Sequence, residues 1–148
     1  MEVRPATAAD RAGWIALRQQ LWPEESGQGH AAEVDEALAS SDTLAAFVAV
    51  DAAGAVTGFL EAAMRFDYVN GCEGSPVAFL EGIYVAPAFR KQGVARALIA
   101  AFEDWARGKG VREIASDAEI DNHISHAMHQ ALGFAETGRV VYFRKPVT

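Results

Sequence analysis

The sequence predicts an α/β (α+β) domain in which about four helices pack on a mixed central sheet of six to seven strands. Three observations carry this. Apolar runs of strand length alternate with stripes at helical spacing. An apolar content of 51% in 148 residues suffices for one self-standing core. Gly, Pro and Asn-Gly signals punctuate the boundaries. The order read from them is β, α, α, β, β, β, α, β, α, β, β, within one domain spanning residues 1–148.

A short strand starts at Val3. Thr7, with Asp10 three residues on, reads as the N-cap and capping-box acid of a first helix whose Trp14, Leu17 and Leu21 share one face; Pro23 stops it. A second helix is expected over residues 30–39, burying Val34, Ala37 and Leu38. Residues 43–50 are nearly all apolar, and Asp51-Ala52-Ala53-Gly54 turns the chain into a second run ending near Phe66, which makes a hairpin. The loop 67–76 carries the turn signals Asn70-Gly71 and Ser75-Pro76. Residues 77–85 read as a buried strand broken by Glu81-Gly82, where a charge and a glycine point to a bulge that re-aims side chains. After Pro87 the segment Arg90-Lys91-Gln92-Gly93-Val94-Ala95 opens the clearest helix, with Val94, Leu98, Ile99, Phe102 and Trp105 on one stripe and Gly108 and Gly110 at its end. Residues 114–117 form a short strand, 125–132 a helix closed by Gly133, and 140–145 a last alternating strand.

Composition narrows the function. A formal charge of −7 and a pI of about 5.0 argue against a phosphate backbone as partner and suit a cationic one. The N-terminal residues lack the basic region and apolar run of a secretory signal, and no stretch approaches the roughly 18 apolar residues of a membrane span. A cytoplasmic location is therefore expected, and Cys72, the only cysteine, suits a reducing compartment.

Several residues carry chemistry. Arg90-x-x-Gly93-x-Ala95, between a strand and a helix, has the mechanics of an anion cradle, although an ordinary helix start reads the same way. It lacks the Gly-Lys-Ser/Thr of a nucleoside triphosphate loop and the three glycines of a dinucleotide fingerprint. Glu81, a carboxylate on an apolar strand, must be functional, ion-paired, or exposed at the bulge. If it opens onto a binding site, it can accept a proton from a cationic ligand. Asp117 either holds a cationic amine or caps a turn. Trp22 and Tyr68 offer rings for a ligand to pack on, with helix-end packing as the alternative for Trp22. No metal is expected. Asp117, Glu119 and Asp121 lack the glycine and closing Glu of a calcium loop, and a helix start near Ser125 splits His123, His126 and His129.

The bulged strand followed by the cradle resembles the GCN5-related N-acetyltransferase (GNAT) family, and Asn122, the helix from Ser125 and Gly133-Phe134 match the family's downstream segment. Within that family the chain resembles the aminoglycoside 6'-N-acetyltransferases. The matching segments are Leu17-Arg18-Gln19-Gln20-Leu21-Trp22-Pro23, Asp67-Tyr68-Val69-Asn70-Gly71-Cys72 and Phe79-Leu80-Glu81-Gly82-Ile83-Tyr84-Val85. Ala115-Ser116-Asp117 and His129-Gln130-Ala131-Leu132-Gly133-Phe134 extend the match to nearly the full length.

The resemblance implies a GNAT fold with a splayed fourth strand and acetyl-CoA as cosubstrate. The thioester would lie along Ile83, Tyr84 and Val85. The pyrophosphate would lie against Lys91, Gln92, Gly93, Val94, Ala95 and Arg96, with Asn122 also on the cofactor. The resemblance implies Glu81 and Asp117 as catalytic groups and Trp22, Tyr68, Glu81, Asp117 and Glu136 as acceptor contacts. It also implies a homodimer joined through the C-terminal strands, and antibiotic resistance as the outcome.

Two departures stand out. Many family members place a tyrosine at His129 to protonate the departing thiolate, which leaves His129 or solvent as the source here. Gly138 stands where related sequences carry an acid that contacts the antibiotic, with Glu136 as the nearby substitute. The same chemistry on a polyamine or protein N-terminus, and a non-catalytic acyl-CoA-binding module, are the competing readings.

Overall fold

The computed structural model describes all of residues 1–148. Five strands, β1 (Glu2–Pro5), β2 (Leu44–Val50), β3 (Val56–Arg65), β4 (Val77–Val85) and β5 (Ile114–Ser116), form one sheet in chain order. The first four are antiparallel neighbours, and only β5 joins parallel, after the crossover through a helix. The helices are α1 (Arg11–Leu21), α2 (Gly27–Ala39), α3 (Val94–Gly108) and α4 (His123–Ala131).

Alternation in the strands supplies two buried faces. Phe47, Ala49, Leu60 and Leu80 pack with Val94, Leu98, Ile99 and Phe102 of α3 on one side, while Val48, Val50 and Phe59 meet Trp14, Leu17 and Val34 of α1 and α2 on the other. The predicted stripe of α3 is therefore its core face, with Trp105 only partly buried. The helix α2 starts earlier than expected because Ser26 caps it, its hydroxyl accepting the Gly29 N–H at 3.0 Å.

The entry to α1 is held by a charge pair. Arg4 reaches Asp10 at 2.7 and 2.9 Å, and Asp10 also accepts the Thr7 N–H at 2.8 Å. The Arg4 guanidinium holds the Asp10 carboxyl below the usual carboxylate range. The pair's contribution is thus present above the ordinary aspartate range and is lost as pH falls through the lowered value.

The mixed sheet and four helices are as expected, but the strand count is five, not six to seven. Residues 134–148 form no strand, and the alternating run 140–145 lies exposed, with Val141, Tyr142 and Phe143 at 76%, 84% and 92%. A strand needs an edge to pair with, and the two edge strands within this chain, β1 and β5, are only four and three residues long. No helix is long and apolar enough to cross a membrane.

Candidate functional site

The site is built around the middle of β4. Its pairing with β3 passes from Glu61↔Gly82 to Ala62↔Leu80, which makes Glu81 the extra residue of a bulge, where the sequence placed it. On its other side β4 pairs with β5 only as far as Leu80↔Ser116, yet β4 runs on to Val85. The two strands part there. The Ala86 N–H is taken by the Thr57 carbonyl at 2.8 Å, so strand alternation turns the N–H groups of Val85 and Ile83 away from β3, toward the opening. The Tyr84 ring lies on the α1 side, its hydroxyl donating to Gln20 at 2.9 Å.

Beyond β4 the turn Pro87–Phe89 leads into the start of α3. Lys91 has φ 61° and Gly93 φ 83°, and no backbone N–H from residue 91 to residue 96 has an acceptor within the protein. Six successive free donors at the positive end of a 15-residue helix fit a pyrophosphate and thus the cofactor implied by the sequence. A Cβ at Gly93 would meet nothing within 4 Å, so its left-handed backbone, not crowding, calls for glycine. The side chains of this segment serve the fold. Val94 is buried, Gln92 bonds the Ala88 carbonyl at 3.3 Å, and Arg96 bonds the Ala131 carbonyl at 3.1 Å, tying α3 to α4. Asn122, assigned to the cofactor by resemblance, uses its side-chain oxygen to cap α4, accepting the Ser125 N–H at 3.1 Å.

On the α1–α2 side of the bulge lies an open cavity of about 530 Å³, lined by Trp22, Glu81 and four further carboxylates, Glu25, Glu33, Glu36 and Glu61. The five acids outnumber the two guanidiniums that touch them. Arg65 pairs with Glu81 at 2.9 Å and lies 3.5 Å from the Phe79 ring centroid. Arg18 is buried and bonds Glu61 and Glu33. Burial opposes the Arg18 charge, and Glu61 and Glu33 outweigh it, so its pKa is raised. Glu25 and Glu33 share a hydrogen bond that raises the Glu25 carboxyl above the usual range; the same bond, with Arg18, holds Glu33 below it. An apolar-walled cavity with an excess of carboxylates suits a small polycation.

The predicted acceptor residues are only partly brought together. Trp22 and Glu81 line the cavity. Asp117 directly follows Ser116, the last residue of β5, whose partner Leu80 precedes Glu81, so each acid lies one residue past the last paired position of the two strands. Tyr68 is exposed in the loop after β3, and Glu136 is held by Arg139 at 2.6 Å; neither lines the cavity. His129 has both ring nitrogens engaged. Nδ1 lies 2.7 Å from the Ser125 carbonyl and so carries the hydrogen, which leaves Nε2 to accept from the Ser116 hydroxyl at 2.8 Å. His, Cys, Asp and Glu nowhere gather in a group of three able to hold a metal ion.

Sequence reading missed Arg18, Glu25, Glu33, Glu36 and Glu61. For two of them a signal existed. Arg18 falls on the apolar stripe of Trp14, Leu17 and Leu21, and Glu61 interrupts the apolar run of β3 as Glu81 does that of β4.

Comparison with known proteins agrees with this geometry. Residues 14–134 match the profile of the Acetyltransferase (GNAT) family. An aminoglycoside N(6')-acetyltransferase type 1 of Salmonella enteritidis is 50% identical over 145 residues, covering 98% of this chain and 99% of that protein. The structure of AAC(6')-Iy in complex with a bisubstrate analogue, CoA-S-monomethyl-acetylneamine, superposes with a TM-score of 0.93 at 48% identity, covering 99% of this chain and 98% of the other. The 6'-N-acetyltransferase AAC(6')-IG of Acinetobacter haemolyticus, solved without ligand, gives 0.94 at 47% identity, with all of both chains covered. Splayed strand, free-donor helix start and sequence likeness agree, and the chain belongs to the GNAT acetyltransferase family.

Proposed function

We propose that this chain transfers the acetyl group of acetyl-CoA to the 6'-amino group of aminoglycosides, thereby conferring resistance to them. The observation that carries this is the carboxylate-rich cavity opening at the β4 bulge, beside the strand that leads into the anion cradle.

When bound, acetyl-CoA supplies an activated acetyl thioester. The N–H groups of residues 91–96 hold the pyrophosphate, and those of Ile83 and Val85 hold the thioester oxygen. Glu81 takes a proton from the acceptor ammonium, freeing its lone pair for attack. Asp117 holds the same amine from across the opening. The Trp22 ring meets a sugar face. Tyr68 and Glu136 do not line the cavity and would reach only the outer part of a larger acceptor, from the loop and the C-terminal segment, which touch where Thr137 packs on Gly71. With both His129 nitrogens engaged, solvent rather than His129 would protonate the departing thiolate.

The attack is direct, without an acyl-enzyme. Burial and Glu113 push the Cys72 thiol up, away from the thiolate a nucleophile needs. Cys72→Ala is expected to keep at least about half of the wild-type turnover, since an inert thiol contributes little to chemistry. Near-complete loss in a folded variant would overturn the ternary-complex scheme.

The chain acts as a single cytoplasmic domain, without a membrane or nucleic-acid partner. A second copy supports the exposed apolar run around Val141 and Phe143, giving a homodimer joined through the C-terminal segments. The activity is tested by thiol release from acetyl-CoA with kanamycin, spermidine, a short peptide or no acceptor. Release with kanamycin supports the reading, and release only with spermidine or peptide reassigns the acceptor.

A further inference from the structure

Trp22 stands just past the end of α1, where the helix has stopped and Pro23 prevents its continuation. The Trp22 N–H bonds the Arg18 carbonyl at 2.8 Å and the Trp22 carbonyl takes the Glu25 N–H at 3.3 Å; three further contacts converge on its side chain and one more on its carbonyl. The Arg18 guanidinium lies 4.8 Å from the ring centroid, and Phe59 meets the ring edge-on at 6.1 Å. The far edge of the indole lies so close to Gly82 that a Cβ there would come within 2.4 Å of it. The Trp22 carbonyl is 3.1 Å from Nε2 of His30, a fully buried residue of α2.

The hydrogen bonds fix which His30 nitrogen donates. Arg18 Nε lies 3.1 Å from His30 Nδ1, and a guanidinium only donates, so Nδ1 accepts and Nε2 carries the hydrogen. That hydrogen is directed to the Trp22 carbonyl. A Glu25 carboxylate oxygen also lies 3.3 Å from Nδ1. The remaining Arg18 donors go to Glu61, Glu33 and, at 3.4 Å, Glu25. One buried arginine thus sets the histidine's tautomer, covers one ring face and anchors three cavity carboxylates.

We infer that His30 and Arg18 are positioning residues for the acceptor: through the His30 Nε2–H bond and the guanidinium over the ring, they hold Trp22 in the orientation that shapes the acceptor cavity. This rests on the reading of that cavity as the aminoglycoside site. Neither residue touches the reacting atoms, and both act through Trp22.

Two substitutions separate the role from general support of the core. His30→Gln keeps a donor near the position of Nε2, whereas His30→Asn keeps only an acceptor near Nδ1. Both are compared with wild type in steady-state kinetics and by fluorine NMR of 5-fluorotryptophan-labelled protein, with the Trp22 signal assigned by Trp22→Phe. His30→Asn is expected to raise the aminoglycoside KM about tenfold, leave the acetyl-CoA KM unchanged and shift or broaden the Trp22 resonance, while His30→Gln stays near wild type. Equal effects of both variants on the acceptor KM, or an unmoved Trp22 resonance in His30→Asn, would overturn the inference. Should His30→Asn not fold, a displaced Trp22 resonance in folded His30→Gln would overturn it, and a retained one supports it. A wild type silent toward aminoglycosides removes the substrate reading alone, because the resonance still decides the positioning.

Discussion

Replacing Glu81 with glutamine is expected to lower turnover with an aminoglycoside about 100-fold while acetyl-CoA binds as before, because a positioned general base contributes on that order. An ammonium has no lone pair, so a proton must leave before attack, and Glu81 is the carboxylate the bulge turns into the cavity. Its partner Arg65 is half-exposed, as Glu81 is, so the substitution breaks a solvent-screened pair and leaves the fold intact. The competing reading, a structural ion pair, makes its own forecast: Arg65→Gln would then reproduce the loss. In the present account it does not, since the acceptor's cationic amine takes the guanidinium's place beside Glu81. Turnover within threefold of wild type in Glu81→Gln would remove Glu81 as the base.

Gly82→Ala is expected to lower kcat/KM for the acceptor by about 100-fold, the scale that a displacement of about 1 Å in a substrate-positioning group produces. The added methyl group would sit 2.4 and 2.5 Å from two carbons of the Trp22 ring, well inside contact distance. Neither side yields easily. Gly82 lies in a strand paired through Glu61, and Trp22 is fixed by Phe59, Arg18 and His30. The indole must leave its place, and the acceptor cavity loses its aromatic wall. The cradle at residues 91–96 lies beyond the end of this strand, so the coenzyme A dissociation constant, measured calorimetrically, is expected to stay within about threefold. An unchanged acceptor kcat/KM would show that Trp22 does not shape the site.

The two features that organise the site were legible because each violates a local rule. A charge and a glycine do not belong inside an apolar strand, and Glu81-Gly82 proved to be the bulge. Small residues between a strand and a helix announced free backbone donors, and residues 91–96 supply them. The acidic wall was less legible, because Glu25, Glu33 and Glu36 sit on or before a polar helix face and become a site only when α2 packs over β2 and β3. Arg18 was readable, as a charge on the buried stripe of α1, and its significance lies in partners 7 to 43 positions away. The run 140–145 has a strand's alternation but no strand in its own chain to pair with. Alternation reports a preference for two different faces; a ladder also needs a neighbour.

The proposed reaction is direct attack on acetyl-CoA by an acceptor amine deprotonated at Glu81. The most direct test is thiol release by the purified wild-type protein with two acceptors that differ at one atom, kanamycin and its 6'-hydroxyl counterpart, with the product's acetylation site read by NMR. Rapid release with the 6'-amine, a product acetylated at that nitrogen and background release with the 6'-hydroxyl are the results predicted. Equal release with both acceptors, or acetylation at another nitrogen, would contradict the account.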